Sequence, residues 1–164
     1  MRLLFVLLVL LAPTARAQAQ TPPPITEAEA RAFVAEQEAD WNAGRLAAYF
    51  GSFSQDATFT DQAYVGAKPP VLYGTSSLDE ARTNLRRVFA RKPWPREAGR
   101  VFRLQPAAGG ALMVTTSVGS IVWDGDRPRR LCASRDQVLV RQDGELRATS
   151  RIDTFVRCRR PAPN

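Results

Sequence analysis

The stretch Trp41–Asp61, reading WNAGRLAAYFGSFSQDATFTD, runs a helix end, a glycine turn, a short second helix and the start of a strand into one continuous segment. Upstream, Thr26 with Glu29 forms a capping box, and Ala30, Phe33, Val34, Gln37 and Trp41 recur at helical spacing. This predicts a helix from about Thr26 to Ala43, ended by Gly44. Leu46, Tyr49, Phe50 and Phe53 continue a shorter apolar face, and Asp56 to Asp61 alternates as a first strand. A second capping box, Ser77 with Glu80, opens a third helix faced by Leu78, Ala81, Leu85, Val88 and Phe89 and stopped by Pro93.

From Arg96 onward the apolar period changes from that of a helix to that of a strand. Val101 to Leu104, Leu112 to Trp123, Leu131 to Arg141 and Glu145 to Val156 are the candidate strands. Gly109-Gly110, Asp124-Gly125 and Asp143-Gly144 separate them as hairpin signals, so an antiparallel meander is expected. Helices first and a meander afterwards mean an α+β fold. The stretch Gly66 to Leu72, with Lys68-Pro69-Pro70, is expected to be a loop that could lie across a pocket mouth.

At 164 residues and 45% apolar content the chain has material for one domain. Met1 and Arg2, the apolar run Leu3 to Ala12 and the small-residue site Ala15-Arg16-Ala17 read as a secretory signal peptide over residues 1–19. A Pro-rich leader over residues 20–25 follows. The apolar run is too short to span a bilayer, so the expectation is an exported, periplasmic or secreted protein without stable membrane insertion after cleavage. Losing Arg2 and Arg16 with that leader lowers the net charge from +7 to +5. The remaining arginines are dispersed, and no basic stripe with interleaved aromatics supports a nucleic-acid partner.

The WNAG turn and the DATFTD strand, in this order of helix, turn, helix and strand, resemble the nuclear transport factor 2-like superfamily, which includes SnoaL-like proteins and ketosteroid isomerase. The resemblance implies a cone-shaped α+β fold over residues 26–158, a cystatin-like roll with N-terminal helices on a curved, mostly antiparallel sheet, and a tail at 159–164. It also implies a pocket for a small molecule, and a homodimer, since relatives often pair through the outer sheet face. Aligned on NAG and DATFTD, Asp61 matches the general base of ketosteroid isomerase. Asp136 matches the second aspartate, which those enzymes keep protonated as an oxyanion donor. The tyrosine donor's place is taken by Glu36.

The chain contains no histidine, which removes Ser-His-Asp and Cys-His nucleophile systems and HExxH metal sites. No Walker A loop or GxGxxG fingerprint occurs, and no cofactor or metal is expected. Any base must then be a carboxylate or something weaker. Counting outward from Asp143-Gly144 as a two-residue turn places Asp136 opposite Arg151 and Ser134 opposite Asp153. A guanidinium beside Asp136 would favour the ionised carboxylate, whereas an oxyanion donor must stay protonated. Trp41, Tyr49, Phe53, Phe59, Tyr64 and Trp123 serve as core packing or as cavity walls, and Trp41, Tyr49, Phe59, Tyr64, Arg151 and Asp153 are the candidate ligand contacts.

Cys132 and Cys158 suit an oxidising compartment, yet the same count sets Cys132 opposite Phe155. A disulfide between them therefore requires a bulge or a bent strand end, against the alternative of two separate thiols. Three functions stay open on the sequence: a non-catalytic small-molecule pocket, an isomerase, cyclase or hydrolase using Asp61 as general base, and a dimeric module of the cell envelope.

Overall fold

The computed structural model describes residues 23–66 and 68–158. The expected signal peptide, residues 20–22 of the leader and the tail 159–164 lie outside the described residues. Three helices, α1 (Glu27–Asn42), α2 (Leu46–Gly51) and α3 (Leu78–Phe89), stand against six strands. The strands are β1 (Phe53–Ala63), β2 (Val71–Ser77), β3 (Arg96–Pro106), β4 (Leu112–Asp124), β5 (Arg127–Gln142) and β6 (Glu145–Val156), in the sheet order β2-β1-β6-β5-β4-β3. Among the described residues only the β1 and β6 pairing is parallel.

Both predicted capping boxes form. Thr26 and Ser77 accept from the backbone N–H of Glu29 and Glu80, whose carboxylates reach back to the cap N–H groups. At the WNAG turn Gly44 adopts φ +70, and a Cβ there would lie 2.6 Å from the Trp94 ring. Glycine is required on both counts. Asn42 then pins the start of β3: its Nδ2 donates to Glu97 O at 2.7 Å and its Oδ1 accepts from Glu97 N at 2.8 Å.

Trp41, Tyr49, Phe50, Phe53 and Phe59 are buried together as the core between helices and sheet, with edge-on ring contacts such as Trp41 to Tyr49 at 5.3 Å. A buried amide relay joins α1 to the sheet, with Gln137 Nε2 donating to Gln37 Oε1 at 2.9 Å and Gln37 Nε2 to Ser52 Oγ at 2.7 Å. These groups are buried and satisfied, which orients α1 as well as holding it.

Three expectations are corrected. Val71 and Leu72 belong to edge strand β2, paired with Ala63 and Gln62, so the predicted loop ends sooner. Tyr64 and Trp123 are exposed and do not join the core. The β5 and β6 register follows the count from the turn as far as Leu139 opposite Ala148, then slips by one residue. Asp136 therefore faces Ile152, Arg135 faces Asp153 and Cys132 faces Val156. The cause is a bulge at Thr149, which leaves Val138 opposite Ser150.

Candidate functional site

The side of the sheet that faces the helices carries Asp61 from β1, Arg151 and Asp153 from β6, Arg135 from β5 and Glu97 from β3. Parallel pairing sets Asp61 beside Asp153, and the slipped hairpin register sets Arg135 across from Asp153. With Trp41 and the apolar side chains of Leu85, Val88, Val118, Leu131 and Phe155 they enclose a cavity of about 230 Å³.

Most charges in this cavity are neutralised internally. Arg135 donates Nε to Asp153 Oδ1 at 2.7 Å and Nη1 to Glu97 Oε2 at 2.8 Å. Arg151 binds Asp153 through Nε at 3.1 Å, grips the same oxygen through Nη2, and donates Nη1 to the Tyr49 phenol oxygen at 2.6 Å. Burial opposes ionisation of Asp153, but the guanidinium groups of Arg135 and Arg151 overrule it and hold the carboxyl far below its usual range. Glu97 follows the same logic: burial raises it, and Arg135 pulls it below the ordinary value. Burial pushes the Tyr49 phenol up, so it remains a neutral hydroxyl.

Asp61 is different. It is exposed at the cavity mouth, and its side chain has no hydrogen-bond or ion-pair partner among the described residues. What burial it has, followed by the neighbouring Asp153 charge, raises its carboxyl above the ordinary range, while Arg151 and Arg135 partly offset this. The cavity thus presents one unneutralised carboxylate above a closed network of two cations and two anions.

The other candidates fall elsewhere. Asp136 lies on the opposite sheet face, where its Oδ1 accepts from Thr115 Oγ1 at 2.6 Å. Glu36 is exposed on α1 and borders a surface groove with Glu145 and Arg147. Phe59 is buried against Phe50 and Phe53 in the core, and Tyr64 points to solvent. Tyr49 sits behind the cavity and touches it through Arg151. Trp41, Arg151 and Asp153 line it. Sequence reasoning missed Arg135 and Glu97: Glu97 lies before the strand expected at Val101 to Leu104, and Arg135 comes opposite Asp153 only through the bulge at Thr149.

Cys132 and Cys158 are joined in a disulfide, with Cα atoms 5.2 Å apart. The bridge lies on the outer sheet face, where Cys132 stands opposite Gly119 and Val156, and ties the residues after β6 to β5. Among the described residues no group of three or more His, Cys, Asp or Glu side chains is placed to hold a metal ion. Among them, too, no helix is long and apolar enough to cross a membrane.

No family model and no curated protein matches the sequence. Solved structures do. The β subunit of the benzoate 1,2-dioxygenase from Burkholderia mallei is similar with a TM-score of 0.65 at 11% identity, over 82% of this chain and 93% of that one. ActVI-ORFA from Streptomyces coelicolor gives 0.57 at 21% identity, over 78% and 95% of the two chains. Aln2 from a Streptomyces species gives 0.59 at 16% identity, over 83% and 94%. At these identities the likeness is one of fold. The chain has the cone-shaped α+β fold of the nuclear transport factor 2-like superfamily.

Proposed function

We propose that this protein binds a small, mostly apolar molecule in the cone cavity and holds that molecule's polar group at Asp61. One observation carries the reading: Asp61 is unpartnered at the mouth of a cavity whose deeper charges are already paired. Size narrows the ligand. A cavity of about 150 Å³ accepts benzene, so one of about 230 Å³ suits one or two rings. A thermal-shift panel of one- and two-ring ketones, phenols and amines tests this, with Asp61→Asn as the control. Stabilisation by ring compounds that fit, reduced in Asp61→Asn, supports the reading; a panel without effect sinks it.

A second reading has its own support. The raised, unpartnered carboxyl of Asp61 has the character of a general base able to remove a proton beside a carbonyl. Of the five N–H groups of Arg151, three are engaged by Asp153 and Tyr49, leaving two for a developing oxyanion. Solvent deuterium exchange into the ketones of the panel would then vanish in Asp61→Asn, and equal exchange in both proteins removes the base.

Export is also proposed. The Cys132–Cys158 disulfide supports an oxidising compartment, as does the leader pattern of residues 1–19. N-terminal sequencing of protein recovered outside the cytoplasm should begin after Ala17 or Ala19, and recovery of the intact chain only from the cytoplasm contradicts it.

A further inference from the structure

On the outer face of the sheet, away from the helices, a trough of about 570 Å³ runs across four strands. Cross-strand register explains its shape. Ser117 faces Ser134, Gly119 faces Cys132, and Cys132 faces Val156, so small side chains form the floor. Gly119 deepens it, because a Cβ built there would meet nothing nearer than Ala98 O at 4.0 Å.

The rim is basic. Arg100 from β3, Arg130 from β5 and Arg157 just past β6 all border the trough, and no acidic side chain lines it. None of the three pairs with a carboxylate among the described residues, in contrast to Arg135 and Arg151 on the other face. Phe102 and Val156 flank the same depression and remain 48% and 41% exposed. Three unneutralised guanidinium groups around an apolar-walled trough match an acidic head group joined to an apolar body.

We propose that this trough is a second binding site, separate from the cone cavity, for a soluble organic anion: a single phosphate or carboxylate head on a short apolar chain. The head lies among Arg100, Arg130 and Arg157, and the chain covers Phe102 and Val156. A second copy of the protein fits the trough less well, because a two-fold contact centred on it would bring two sets of these arginines together over a lining that holds no acid.

Calorimetric titration with octyl phosphate, inorganic phosphate and octyltrimethylammonium tests the site. Octyl phosphate should bind with one-to-one stoichiometry, about 100-fold more tightly than inorganic phosphate, while octyltrimethylammonium should not bind. The triple variant Arg100→Gln, Arg130→Gln, Arg157→Gln should weaken octyl phosphate about tenfold or more. Gly119→Val, which fills the floor at an unstrained strand position, should weaken it while melting no earlier than the parent. Asp61→Asn should bind octyl phosphate unchanged, so this result stands apart from that for the cone cavity. Equal binding by the parent, the triple variant and Gly119→Val overturns the proposal. So does binding of inorganic phosphate as tight as that of octyl phosphate, association only with anionic lipid vesicles, or a dimer indifferent to both octyl phosphate and the arginine substitutions.

Discussion

Arg135 Nε stands 2.7 Å from Asp153 Oδ1, and the pair exists because β6 carries one extra residue, Thr149, between the partners of Val138 and Leu139. Without that bulge Arg135 would face Ile152, the closed charge network would not form, and Asp153 beside Asp61 would be left with Arg151 alone as its cation.

The first prediction concerns that network. Arg135→Met leaves Asp153 and Glu97 buried without their shared cation, with both carboxyl side chains under a tenth exposed. Breaking such a pair should cost about 3–5 kcal/mol. Urea unfolding of the parent and the variant checks this, and a loss below about 1 kcal/mol would mean the network is solvated.

Acid should unfold the protein through the same residues. The folded-state values of Asp153 and Glu97 lie below their ordinary ones, so their contribution is complete above about pH 4 and fades as pH falls from there. The exposed Glu29 carboxyl, held down to about 2 by its hydrogen bonds to Arg141 and to the Thr26 backbone and side chain, adds in the same direction. Melting temperature measured from pH 7 to pH 3 should be level at first and then drop. A flat profile across that window contradicts the charge assignment.

Asp61→Asn should separate stability from function. Because burial and Asp153 raise its carboxyl, the ionised side chain destabilises the fold at neutral pH, and its amide substitute should melt slightly higher. Ligand binding should weaken in the same variant. A variant that melts lower and binds fully would place Asp61 in a structural role.

Reducing the disulfide should loosen the end of β6 from β5 and lower the stability of the fold. The 26-residue separation of Cys132 and Cys158 corresponds to about 3.5 kcal/mol of loop-closure stabilisation. The double variant Cys132→Ser, Cys158→Ser should show that loss in denaturant unfolding, and reductant should reproduce it in the parent but leave the variant unchanged.

Much of the fold was legible because its signals are local. The caps Thr26/Glu29 and Ser77/Glu80, the Gly44 stop and the Asp143-Gly144 turn each act within a few residues, and each forms as the sequence indicates. Strand β2 was missed because Val71 and Leu72 follow two prolines and lie on an exposed edge, without the alternation that burial of one face imposes. The site was less legible for one reason. The bulge at Thr149 carries no glycine or proline to announce it, and a shift of one residue moves every side chain to the other face. Asp136 was thereby paired with Arg151 on paper, whereas the fold turns Asp136 outward toward Thr115 and brings Arg135 inward to Asp153. Asp61 escaped this error because its position depends on β1, which precedes the bulge.

The most direct measurement is a calorimetric titration of 1-tetralone, a two-ring ketone, into the parent protein, Asp61→Asn and Val88→Trp. Val88 lines the cavity and is 49% exposed, so a tryptophan there should plug the cavity without disturbing the core. The account predicts one-to-one binding to the parent, about tenfold weaker binding to Asp61→Asn, and none to Val88→Trp. No binding to the parent, or equal affinity in all three proteins, would contradict it.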